Sequence, residues 1–252
     1  MAYRRGETDE PSNATVVRPE YAALAHAFGV LAMQFGHRID ATLRDDVVRL
    51  ASTIECVDRH VDDVRDHAHR TALWHAVLEV LSRGAERRTD DLADGLADEL
   101  VSATLDLREV AVRRDVLPRI VRIVAKEITA SESMRRTSRL GVYVASVVRE
   151  GHLTTALVLV VAGDACGAAF RRFFFRLGGP ANLIDKLKDA RDDHARGEIA
   201  VAPGLLLHAR LALAVLLRLP ALLASHPRWP RVIRLGLRYL GPLAALRHEA
   251  DL

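Results

Sequence analysis

Apolar residues recur along this chain at spacings of three and four positions, with charged residues between them, which is the period of an amphipathic α-helix. β-branched residues are frequent near the middle of the chain, but the apolar run there is too long for a strand and its neighbours have the helical pattern. The sequence therefore predicts an all-α fold. The predicted helices cover residues 21–35, 43–81, 92–110, 112–129, 142–161, 181–197, 205–224 and 232–246.

Glycine and proline predict where these helices bend or end. We expect the apolar helix 142–161 to break near Gly151, and Gly178-Gly179-Pro180 to form a turn before the next helix. Gly197 should end that helix, because glycine readily adopts the left-handed conformation found after helix C-termini. Pro220 should kink or shorten the helix at 205–224.

Length and composition favour one folded unit. The chain has 252 residues, of which 50% are hydrophobic, enough for one sizeable core. Residues 1–18 are polar and are predicted to be a disordered arm, which leaves 19–252 as a single α-helical domain. A net charge of +3 does not indicate a nucleic-acid-binding protein, since no clustered basic face is evident.

The same composition favours a cytoplasmic protein. The chain has only two cysteines and no CxxC pair, which fits a reducing compartment. Its first residues lack the apolar core of a signal peptide. The apolar stretch 153–163 is too short to span a membrane, and charged residues interrupt the one at 205–224, so neither is expected to cross a bilayer.

Two groups of aspartates carry the candidate chemistry. Asp185, Asp189 and Asp193 stand four apart, so they form one stripe about 12 Å long on a helix. Asp58 and Asp62 begin a second group with the same spacing, which continues to Asp66 and has Asp63 beside it. Like charges at this spacing repel, and divalent cations such as Mg²⁺ would offset that repulsion with hard oxygen ligands.

A simpler interpretation of both stripes is a solvated helix face. Lys186, Lys188 and Arg191 could balance the aspartates at 185, 189 and 193 without any metal. Two acidic stripes in one helical chain, however, could face each other across a cavity. Metal ions held between them could then bind a diphosphate.

The two stripes resemble the aspartate motifs of class I isoprenoid-diphosphate synthases, the superfamily of terpene cyclases, squalene and phytoene synthases and trans-prenyltransferases. The stretch DDVRD (62–66) resembles the DDxxD motif, and DRHVDD (58–63) resembles the DxxxDD of squalene synthases. The later stretch DKLKDARDDHARGEI (185–199) resembles the second phytoene synthase motif. It also has the spacing of the terpene cyclase triad, although only Asp185 matches that triad in residue type.

The resemblance implies an α-helical bundle around a central cavity, in which Mg²⁺ helps to ionise a C10–C20 prenyl diphosphate. It implies Asp62, Asp189 and Arg139 as catalytic residues, the two aspartates within two sets of metal ligands. An arginine precedes the terpene cyclase triad by 46 residues, and Arg139 has that spacing here. The implied metal ligands are Asp58, Asp62, Asp63, Asp66, Asp185, Asp189 and Asp193, and the implied diphosphate-binding residues are Arg139, Lys188, Arg196, Arg238 and Tyr239.

Three functions therefore stay open at this point. A terpene synthase, which releases diphosphate as a lyase, is the leading hypothesis, and a squalene or phytoene synthase-like prenyltransferase is the nearest alternative. A helical interaction protein without catalytic activity is the third. A homodimer and a peripheral contact with a membrane are compatible with each of them.

Overall fold

The computed structural model describes residues 19–62, 64, 66–84 and 98–228, with side chains from Ala25 onward. The prediction of an all-α fold is confirmed for these residues, which form no strand. The predicted arm at 1–18, most of the loop at 82–91 and the predicted helix at 232–246 lie outside them. The helices are α1 (Pro19–Gln34), α2 (Ala41–Asp62), α3 (His67–Arg83), α4 (Asp98–Arg113), α5 (Leu117–Arg136), α6 (Leu140–Ala162), α7 (Ala168–Arg196) and α8 (Leu205–Ala224).

The apolar helix α6 lies at the centre of the bundle. It packs against α2, α5, α7 and α8, and α7 packs in turn against α8. On the other side, α4 contacts α2, α3 and α5. Tyr143, Val147, Leu157 and Val161 of α6 are almost completely buried, which agrees with the mostly apolar and weakly amphipathic sequence of this helix.

The acidic region of the first motif is not one continuous helix, so the prediction of a single helix over 43–81 is wrong. Helix α2 ends at Asp62, and α3 begins at His67. Asp66 is the N-cap of α3, where its carboxylate accepts a hydrogen bond of 2.7 Å from the backbone N–H of His69. An aspartate satisfies the unpaired N–H groups of a helix start well, and here that capping ends the stripe begun by Asp58 and Asp62.

The glycines at 151, 178 and 179 do not break helices, so both predictions made from them are wrong. Helix α6 runs through Gly151, and α7 runs through Gly178, Gly179 and Pro180. A Cβ atom on Gly151 would lie 2.2 Å from the carbonyl oxygen of Gly178, a distance that no real side chain allows. The glycines therefore permit α6 and α7 to cross with their backbones in close approach.

Some of the remaining helix ends agree with the sequence signals, whereas the helix predicted at 112–129 runs from Leu117 to Arg136. Gly197 follows α7 in the left-handed conformation, with φ of 79°, as predicted for a C-cap glycine. Pro118 lies in the first turn of α5, where its missing N–H costs nothing. Helix α8 has the predicted bounds and continues past Pro220 to Ala224.

Candidate functional site

A cavity of about 420 Å³ opens into the bundle and is lined by residues of α2 to α7 and of the segment that follows α7. Part of its wall is apolar and includes Val77, Leu81, Leu107, Val124 and Leu157. Another part of the wall is densely acidic. The volume of the cavity lies at the lower end of the range of small-molecule sites, roughly 300–1,000 Å³. Apolar walls with a few converging polar groups are typical of such sites.

Helix α2 contributes two of the predicted aspartates to this cavity. Asp58 and Asp62 both line it, and Arg135 of α5 forms an ion pair with Asp62. Asp58 forms no hydrogen bond or ion pair with any residue that the structure describes. Asp66, which caps α3, is exposed and does not belong to the lining, and Asp63 lies outside the described residues.

Helix α7 contributes the second stripe, and all three of its predicted aspartates line the same cavity. Asp193 is 2% exposed and already neutralised, because Lys186 lies 2.9 Å and Arg196 lies 2.8 Å from its carboxylate oxygens. Asp185 and Asp189, by contrast, have no ion-pair partner among the described residues. They are therefore the two carboxylates of α7 within the lining that are free to bind an added cation.

Two half-buried glutamates that the sequence analysis missed also belong to the acidic wall. Glu127 of α5 accepts a 2.6 Å hydrogen bond from the hydroxyl of Thr154, and Glu150 of α6 accepts one of 2.9 Å from the side-chain amide of Asn182. Each glutamate occurs singly on an apolar helix face. That isolation is the only sequence signal that could have revealed them, because neither belongs to a motif.

Two carboxyl groups of the cavity have pKa values raised to near neutrality, so they keep their protons to a higher pH than ordinary carboxyl groups do. Burial raises the pKa of Glu127 to about 8, and the charges of Glu150 and Asp58 act in the same direction, against the hydrogen bond from Thr154. Burial also raises the pKa of Asp58 to about 7, together with the charges of Glu150 and Asp62. Asp58 borders the open space of the cavity, yet protein atoms surround it closely enough to desolvate it.

Acidic residues outnumber cationic residues in the lining. Nine acidic residues line the cavity against three cationic ones, so the wall carries a net negative charge even with Glu127 and Asp58 protonated. Burial would lower the pKa of Lys186, but the adjacent carboxylate of Asp193 raises it, so this lysine stays protonated. The acidic residues are Glu55, Asp58, Asp62, Glu127, Glu150, Asp185, Asp189, Asp193 and Glu198, and the cationic residues are Arg135, Lys186 and Arg196.

The predicted diphosphate donors are only partly brought to this site. Arg139 is exposed at the N-cap of α6 and is absent from the lining, so its 46-residue spacing does not bring it into the cavity. Arg135, which lies four residues earlier near the end of α5, lines the cavity instead. Arg196 lines it as predicted, Lys188 is exposed outside it, and Arg238 and Tyr239 lie outside the described residues.

The carboxylates of the cavity are chemically suitable ligands for Mg²⁺, although the described residues do not form a ready-made metal site. Within the described ranges, no three Asp, Glu, His or Cys side chains converge closely enough to share one metal ion. Carboxylate oxygens are nevertheless the ligands that Mg²⁺ prefers, and this ion commonly keeps several waters and takes only one or two carboxylates directly. Asp58 and Asp62 of α2 and Asp185 and Asp189 of α7 could supply that number.

Comparison with known proteins adds no identification. No family model, no curated protein and no solved structure matches this chain.

Proposed function

We propose that this protein is a Mg²⁺-dependent enzyme of the class I isoprenoid type, which ionises an allylic prenyl diphosphate and releases diphosphate as a terpene synthase. The observation that carries the proposal is the meeting of two aspartate stripes, distant in sequence, on the wall of one cavity. A solvated acidic face needs no such meeting. The apolar remainder of the wall offers space for a hydrocarbon chain beside the acidic part.

Each part of the lining has a role in this proposal. Asp58, Asp62, Asp185 and Asp189 would hold Mg²⁺, which supplies Lewis-acid stabilisation to a leaving diphosphate when it is bound. Arg135 already balances Asp62 and is well placed to share its guanidinium with a phosphate oxygen, because its planar fork can make two bonds at once. Leu81, Leu107 and Leu157 would exclude water from the carbocation.

A head-to-head prenyltransferase of the squalene or phytoene synthase type is the second candidate. It gains from the position of Arg139, because the spacing that favoured the terpene cyclases belongs to an arginine outside the lining. The size of the cavity favours the lyase, since about 420 Å³ accommodates one prenyl chain more readily than two. Both candidates require the same metal-bound diphosphate.

The test is incubation of the full chain with C10, C15 and C20 prenyl diphosphates and Mg²⁺, followed by mass spectrometry of the organic extract. Products with the carbon number of the substrate support the lyase, and products with twice that number support the transferase. A non-reactive bisphosphonate with Mg²⁺ should also stabilise the fold, by about 2.7 kcal/mol at a hundred times its Kd. Neither turnover nor stabilisation is expected of a helical interaction protein, and their joint absence would refute the proposal.

A further inference from the structure

Helix α8 exposes a continuous apolar face on the outside of the bundle. Leu207, Leu211 and Val215 of the same helix are buried against the core, so the exposed face is the opposite one. Scattered exposed leucines are ordinary, but five on one helix form a patch that indicates an interaction site. The exposed leucines are Leu205 (89% exposed), Leu206 (67%), Leu213 (48%), Leu216 (61%) and Leu217 (69%).

The length and hydropathy of α8 distinguish it further. Among the described residues two helical stretches are long and apolar enough to cross a membrane: Leu140–Ala165, half buried in the bundle, and Leu205–Ala224, only 28% buried. The first contains the core helix α6. Helix α8 carries Arg210 and Arg218 and packs along α7. It is therefore better suited to lie on a membrane surface than to cross the bilayer.

The charged residues of α8 and of its neighbours in the sequence are positive. Residues 199–248 contain seven arginines and no aspartate or glutamate, whereas the rest of the chain carries a net charge of −4. In the described part, Arg210 and Arg228 are exposed, Arg218 is half-buried on α8, and Arg176 of α7 donates to the carbonyl oxygen of Ala221. Exposed leucines thus lie among arginines with no anionic side chain on the same helix.

We propose that this face of α8 docks the protein on the surface of an anionic lipid bilayer. The leucines would enter the boundary between headgroups and acyl chains, and the arginines would meet the lipid phosphates. A second copy of the chain is a poorer occupant, because a symmetric contact would bring two arginine-rich faces together. The proposal needs neither metal nor prenyl diphosphate and does not depend on the proposed function.

The test is sedimentation of the full chain with vesicles of phosphatidylcholine alone and of equal parts phosphatidylcholine and phosphatidylglycerol. We expect binding to the mixed vesicles that weakens as salt rises. The triple variant Leu206→Ser/Leu213→Ser/Leu217→Ser should lower the partition coefficient on the order of 100-fold, because three apolar side chains no longer enter the lipid. Arg210→Gln should lower it about fivefold on the mixed vesicles alone.

The matched control replaces equally exposed apolar residues elsewhere. Met33 of α1 and Val112 of α4 are 58% and 51% exposed, and Met33→Ser/Val112→Ser should bind vesicles like the parent chain. Vesicle binding that is equal in the parent and the leucine variant would overturn the proposal. A parent chain that does not bind vesicles but forms a dimer, with the dimer lost in the leucine variant, would also overturn it. So would a loss of several degrees of Tm in the leucine variant, because such a loss would show that protein already covers the face.

Discussion

Replacement of Glu127 by glutamine should make the stability of this protein less dependent on pH. The carboxyl group of Glu127 faces the cavity beside Glu150 and Asp58, and the hydroxyl of Thr154 donates to it. Glutamine keeps an oxygen that can accept this hydrogen bond and removes the ionisable group. The substitution therefore changes the charge of the site with little change in its shape.

The direction of the effect follows from the raised pKa. Glu127 has a pKa of about 8 in the folded protein and an ordinary value of 4.5. The folded state thus holds this proton more tightly than the unfolded chain does, so the stabilisation is complete below pH 4.5 and is lost as pH rises to about 8. At pH 8 the loss has an upper limit of about 4 kcal/mol, and water entering the cavity should reduce it to about 2 kcal/mol.

Urea unfolding of the parent and Glu127→Gln at pH 5 and pH 8 measures this difference. We expect the variant to be more stable by about 2 kcal/mol at pH 8 and by less than about 1 kcal/mol at pH 5. Glu109→Gln, which removes an exposed carboxylate paired with Arg113, should change stability equally at both pH values. A Glu127→Gln effect that is the same at pH 5 and pH 8 would show that Glu127 is not held protonated in the fold.

Three further predictions concern the metal site, the phosphate donor and the packing of α6 on α7. Asp189→Asn should abolish turnover of prenyl diphosphates and the Mg²⁺-dependent rise in Tm, since it removes an unpaired carboxylate from the lining. Arg135→Lys should lower kcat on the order of 100-fold, because an ammonium cannot make the bidentate contact. Gly151→Ala should destabilise the fold by about 3 kcal/mol or more in urea unfolding, because its Cβ would overlap the Gly178 carbonyl group.

Each of these predictions has a matched control at another position of the same residue type. Asp192→Asn, on the same helix as Asp189 but exposed and outside the lining, should leave turnover unchanged. Arg139→Lys should be neutral, and a loss at Arg139 with a normal rate at Arg135 would reverse the assignment of the donor. Gly141→Ala should stabilise α6 by up to about 1 kcal/mol, because nothing lies within 4 Å of the added Cβ atom.

Local sequence patterns were sufficient to predict the fold class and several helix bounds. The bounds of α8 and the end of α7 at Gly197 depend on residues within a turn or two of each boundary. Hydrophobic period and end signals act over the same short range, so they can be read without knowledge of the partner helices. The spacing of Asp185, Asp189 and Asp193 on one helix face is local for the same reason.

The tertiary structure alone decided what the glycines and the charged residues do. Glycine is often a helix breaker in sequence, but Gly151 and Gly178 lie inside helices. They permit α6 and α7 to cross, because the close approach of the two backbones leaves no room for side chains. Asp193 is neutralised while Asp189 is left unpaired, which depends on where the side chains of Lys186 and Arg196 reach.

The choice of Arg135 over Arg139 likewise follows from the end of α5 and the start of α6. Glu127 and Glu150 entered the site only because α5 and α6 turn them toward one cavity. The hydrophobic period of a helix indicates which of its faces is buried. The residues that this face contacts are determined by packing between segments far apart in the chain.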